Sequence, residues 1–88
     1  MILDSLIYWY YERLVDNSVI DGYMIDTVLC SDGRFYETAI KFGDGDWIVV
    51  EEYVTIEKAQ KGHNKWIEFC KTHPKQAYSI QYRDYISF

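Results

Sequence analysis

The sequence predicts an α+β domain in which one main helix packs against an antiparallel sheet of three to four strands. Three observations carry this reading. Residues 23–54 alternate apolar and polar side chains in three runs separated by two Gly/Asp turns, the pattern of a half-buried meander. Residues 56–72 switch to a helical period with one apolar stripe, and such a stripe needs a sheet face to cover it. The chain of 88 residues carries no repeat, low-complexity tract or linker, which corresponds to a single domain, 1–88.

The first element reads as a helix over 3–14. Leu3, Leu6, Ile7, Tyr10 and Leu14 recur at helical spacing, and Asp4 or Ser5 suits its cap. The adjoining Tyr8-Trp9-Tyr10-Tyr11 run also favours β structure. Residues 16–22, DNSVIDG, read as a loop. The first strand of the meander is 23–30, with Tyr23, Ile25, Thr27 and Leu29 on one face. Ser31-Asp32-Gly33-Arg34 follows as a turn, because Asp-Gly accepts the positive φ angles of tight hairpins. In 35–42, Tyr36, Thr38, Ile40 and Phe42 oppose Glu37 and Lys41. Gly43-Asp44-Gly45-Asp46 makes the second turn, and 47–54 is the third strand with Ile48, Val50 and Val54 on one face.

Thr55 is a natural N-cap for the main helix. Ile56, Ala59, His63, Trp66, Ile67 and Cys70 form its apolar stripe, and Glu57, Lys58, Lys61, Lys65 and Glu68 its solvated face. Pro74 stops it, since the residue before a proline disfavours the α region. Residues 78–88 alternate again up to Asp84 and predict a C-terminal strand, at least over 78–82. Gly62 inside the helix costs about 1 kcal/mol against alanine, which predicts close approach of a strand or aromatic ring. His63 beside it is expected to hydrogen-bond a backbone group of the sheet or a loop.

The net charge is −5 and is unevenly spread. Residues 1–56 hold eleven acids against Arg13, Arg34 and Lys41, whereas 57–75 hold five lysines against Glu57 and Glu68. An acidic body argues against direct nucleic-acid binding, which relies on basic side chains neutralising phosphates. The lysine-bearing stretch reads as a solvated helix face, with an acidic partner as the alternative. No segment reads as a signal peptide or membrane span, so a cytoplasmic location and free thiols at Cys30 and Cys70 are expected.

Chemistry-bearing residues are few. Cys30, His63, Cys70 and His73 match a structural zinc site in number but contain no CxxC pair, and Cys30 stands far from the others. Neither cysteine has a spacing to histidine that marks a nucleophile–base pair. The sequence contains no GxSxG, P-loop, GxGxxG or HExxH motif, and Gly43–Asp46 lacks the further acids of a calcium loop. A non-enzymatic protein without a cofactor is therefore expected. Aromatic residues make up 18% of the chain, more than a small core uses, and tyrosine is favoured at protein interfaces. Acids at 26, 32, 37, 44, 46, 51 and 52 would lie on an outer sheet face and its hairpin tips. There they either solvate the sheet or imitate a nucleic-acid backbone against a basic partner.

Tyr36-Glu37-Thr38-Ala39-Ile40, Glu52-Tyr53-Val54-Thr55 and Ala59-Gln60-Lys61-Gly62-His63 resemble small proteins of bacteriophages and prophages, with a Y-E-T strand, a Y-x-T helix start and A-x-x-G-H on the helix. The resemblance covers residues 35–70. It implies a phage setting and transfers no functional residue, because Thr55, Gly62 and His63 each have a structural role above. In that setting a small acidic protein would bind a host protein, such as a nucleic-acid-dependent defence complex, in the manner of an anti-CRISPR inhibitor. Tyr23, Asp32, Glu37, Asp44, Asp46, Glu51 and Tyr85 are the expected partner-binding residues. Two alternatives stay open. One is a small-ligand or metal-binding regulator using His63, Cys70 and His73, and the other a phage structural or assembly protein that dimerises through 78–82.

Overall fold

The computed structural model describes Tyr10 and residues 12–88. The predicted helix over 3–14 lies almost wholly outside the described residues, although Tyr10, Glu12 and Arg13 are helical. Four antiparallel strands follow one another in space as in sequence: β1 (Leu14–Ile20), β2 (Tyr23–Leu29), β3 (Tyr36–Phe42) and β4 (Ile48–Tyr53). The helix α1 (Ile56–Cys70) lies across one face, and β5 (Gln76–Ser79) and β6 (Asp84–Ser87) form a separate hairpin. The α+β architecture with a single main helix on an antiparallel sheet is as the sequence predicts.

The fourth strand comes from the other end of the chain. Residues 16–22 are not a loop, because Asp16 to Ile20 pair with Thr27 back to Tyr23. Asp21 (φ 48°) and Gly22 (φ 89°) make the two-residue connection, the pair of positive angles that a type I′ turn needs. The strand is polar because it lies at the edge of the sheet, and its inward positions Asp16 and Ser18 meet His63 and not an aliphatic core.

At the other edge, β4 carries a bulge. Thr38 pairs with Glu51 and Ala39 with Val49, leaving Val50 as the extra residue. The bulge inverts the alternation beyond it. Ile48 and Val50 are buried as expected, but Tyr53 takes the inward position and Val54 is exposed.

Helix α1 is capped by the Thr55 hydroxyl, which accepts from the Lys58 N–H at 3.2 Å. It ends at Cys70, where His73 (φ 53°) turns the chain just before Pro74. The core under its C-terminal half comprises Tyr23, Ile25, Ile40, Ile48, Val50, Cys70 and Ala77, flanked by Trp66, Ile67 and Phe88. Residues 78–82 do not form one strand. Arg83 (φ 56°) lies in a turn closed by its N–H to the Ser79 carbonyl at 2.8 Å. The hairpin is tied to β4 by the Ile80 N–H to the Val49 carbonyl at 3.0 Å.

Candidate functional site

The predicted partner-binding residues separate into groups. Tyr23 is a correction: it is 5% exposed in the core, and its hydroxyl donates to the Pro74 carbonyl at 2.6 Å. Position 23 lies on the helix side of the sheet, so its ring packs into the core with Ile25 and Ile40. Glu51 is half-buried, because the β4 bulge turns it toward α1. Its carboxylate accepts from Trp66 Nε1 at 2.9 Å and meets Lys65 Nζ at 2.6 Å. Burial alone would raise its pKa, but hydrogen bonds from Lys65, Trp66 and Tyr53 hold it below the ordinary carboxylate value.

Asp32 lies in the loop between β2 and β3, bonded to the Arg34 N–H at 3.0 Å. Glu37 faces away from the helix, opposite Val28 and Glu52. Asp44 and Asp46 share the loop between β3 and β4 at the other end of the sheet. At about 3.3 Å per residue, β3 separates them from Asp32 by roughly 20 Å, so the set does not make one patch. Tyr85, 61% exposed, packs edge-on against Tyr78 on the outside of the β5–β6 hairpin.

The loop that carries Asp44 and Asp46 adjoins two exposed aromatic residues outside the expected partner-binding set, Trp47 and Tyr82. Asp46, Trp47 and Ile48 form one wall of a cleft of about 540 Å³, and Ser79, Tyr82 and Ile86 of the hairpin form the other. Trp47 is 41% exposed and Tyr82 68%. The signal for Trp47 was in the sequence, as a tryptophan immediately after a Gly-Asp-Gly-Asp turn. Alternation places Tyr82 on a strand face, and the turn at 80–83 displaces it. A second, more open groove of about 480 Å³ follows the flank of α1, where Lys58, Lys61 and Lys65 oppose Glu51 and Glu52.

His63 belongs to a different arrangement. It is fully buried, and its partners are hydroxyls, not the backbone group expected from the sequence. Nδ1 lies 2.7 Å from Thr27 Oγ1 and Nε2 lies 2.9 Å from Ser18 Oγ. Thr27 Oγ1 is 2.6 Å from Thr38 Oγ1, which is 3.0 Å from the Tyr53 hydroxyl. Each hydroxyl in this row can donate one hydrogen bond and accept others, so the five side chains can satisfy one another in sequence with a neutral imidazole at His63. All four strands and the helix contribute to this chain, and no buried side-chain polar atom among the described residues lacks a partner. Burial lowers the His63 pKa against the opposing charges of Asp16 and Asp26, consistent with the neutral ring. Burial pushes Tyr53 up to about 12.

Both ring nitrogens of His63 are thus engaged in holding the fold. His73 is exposed and pairs with Asp21 at 2.9 Å. Among the described residues no three His, Cys, Asp or Glu side chains converge in a metal-binding arrangement. Burial pushes the Cys70 thiol up to about 11. Burial, together with the Glu37 carboxylate that accepts its hydrogen bond, pushes Cys30 to about 12. Both therefore stay protonated at neutral pH, which leaves neither as an activated nucleophile. No described helix is long and apolar enough to cross a membrane. Comparison with known proteins finds no matching family model, no matching curated protein and no matching solved structure.

Proposed function

We propose that the chain is a non-enzymatic binding module that engages a partner protein through the sheet end carrying the β3–β4 loop and the adjoining hairpin. One observation carries the reading: two acids of one loop, Asp44 and Asp46, stand beside an exposed tryptophan and a cleft shared with an exposed tyrosine. Exposed aromatic anchors beside charge are what protein interfaces use, the rings supplying buried area and the charges orientation and encounter rate. The net charge of −5 favours a basic partner.

The resemblance of residues 35–70 to small phage proteins suggests the setting. In a phage-infected cell the partner is a host protein, and an acidic module suits the basic groove of a nucleic-acid-dependent defence complex, an anti-CRISPR-like role in the host cytoplasm. Affinity capture from bacterial lysate at low and moderate salt tests the reading. The expected result is one stoichiometric protein, released as salt rises and lost from the Asp44→Lys/Asp46→Lys variant. Capture that is indifferent to both salt and these substitutions would remove this surface from the function.

A further inference from the structure

We infer that the cleft between Trp47 and Tyr82 receives a single arginine side chain from the partner, with its guanidinium held by the Asp46 carboxylate. The inference rests on the binding-module reading and specifies what the surface recognises. Among the described residues that line the cleft, Asp46 is the one charged side chain. The other walls are the rings of Trp47 and Tyr82, the aliphatic Ile48 and Ile86, and the Ser79 side chain. An aromatic enclosure with one carboxylate selects a cation whose body is flat and apolar. Guanidinium meets that description, because it stacks on aromatic faces and offers a planar fork of N–H donors to a carboxylate, whereas an ammonium is a compact, strongly hydrated point charge.

Two further observations bear on the assignment. Lys41 Nζ sits 5.2 Å from the Trp47 ring centroid, so the indole already carries one cation and an incoming arginine competes with Lys41 for it or stacks on the other face. The Ser79 hydroxyl accepts from the Tyr82 N–H at 3.1 Å, which fixes the turn carrying Tyr82, and among the described lining residues Asp46 is the one ionised acceptor. The hairpin wall is held against β4 by the Ile80–Val49 bond, so the cleft is formed before the partner arrives, which lowers the ordering cost of binding. Asp44 on the same loop and Asp84 at the start of β6 are matched in number by Lys41 and Arg83, so the acid that selects a cation is Asp46 of the cleft itself.

The test titrates the full chain with three decapeptides that differ at one central position, arginine, lysine or citrulline, in an otherwise Gly/Ser background. The Trp47 indole resonance is followed by NMR. Citrulline keeps the shape of arginine and removes the charge. The arginine peptide is expected to shift the Trp47 signal and bind at least tenfold more tightly than the citrulline peptide, with lysine between them. Asp46→Asn and Tyr82→Ala should each weaken the arginine peptide about tenfold. Asp32→Asn, an equal change of charge at the far end of the sheet, should leave it within twofold. Equal binding of arginine and citrulline, or an equal loss from Asp32→Asn and Asp46→Asn, would overturn the inference. A partner captured from lysate whose binding ignores Asp46→Asn would also overturn it, leaving the binding-module reading intact. Arginine-peptide binding at Trp47 without any captured partner would uphold the cleft and overturn that reading.

Discussion

His63 Nδ1 and Thr27 Oγ1 lie 2.7 Å apart across the interface between helix and sheet, and neither side chain is reached by solvent. This contact is the middle of a row of hydrogen bonds from Ser18 to Tyr53. A half-satisfied polar row would destabilise the interior, whereas a fully satisfied one fixes which helix face meets which strands. The described residues fulfil the second condition.

Replacing His63 by leucine should therefore reduce stability. It removes both ring bonds, while Thr27 keeps its bond to Thr38 and the half-exposed Ser18 can turn to water, so the expected loss is about 1–3 kcal/mol in all. Urea unfolding is the measurement, with the expected loss appearing as a lower midpoint at unchanged slope. Unchanged stability accompanied by lost partner binding would place His63 at the interface instead.

Gly62→Ala should destabilise as well, against the ordinary preference of helices. At an open helical site the change gains up to about 1 kcal/mol. Here a Cβ would overlap the ring and hydroxyl of Tyr53. Overpacking of this kind costs roughly 1–3 kcal/mol. Asn64→Ala, two positions along on the exposed side, is the control and should leave stability equal or slightly higher. If both substitutions stabilise, the close approach of Tyr53 to the helix is wrong.

How much of this was legible in the sequence varies by element. The strands around Ile25, Ile40 and Ile48, and the helix with Thr55 at its cap, follow from alternation and helical period because their inner positions are apolar. The close packing at Gly62 was legible for the same reason, as a glycine at a buried helical position. Strand β1 was missed because Asp16 and Ser18 point inward to a histidine, so no hydrophobic alternation marks it. Its Asp21-Gly22 turn between Ile20 and Tyr23 was the available signal. The inward turn of Glu51 and Tyr53 depends on one bulged residue, Val50, which alternation does not reveal. The cleft joins residues 46–48 to 79–86, and only tertiary structure brings those together.

Acid should weaken the fold in two stages. Burial holds the folded His63 pKa below 6.5, so the unfolded chain binds the extra proton first. Stability is fully present above pH 6.5 and declines as pH falls toward the folded value, with a slope of at most about 1.4 kcal/mol per pH unit for one proton. Glu51 behaves as a depressed carboxylate. Its contribution is present above its ordinary value of 4.5 and is lost as pH falls through the lowered one. Urea midpoints measured from pH 7.5 to 3.5 should show both segments. His63→Gln should flatten the upper segment and spare the lower, and an upper segment that persists in this variant would assign it to another group.

The division of labour between the buried row and the exposed end is tested most directly by the Asp44→Lys/Asp46→Lys variant. Its affinity for the captured partner and its urea midpoint would be measured side by side. These residues are exposed in a loop, so the account predicts an unchanged midpoint together with binding at least tenfold weaker than wild type. Unchanged affinity in a fully folded variant would contradict it and move the binding surface elsewhere on the molecule.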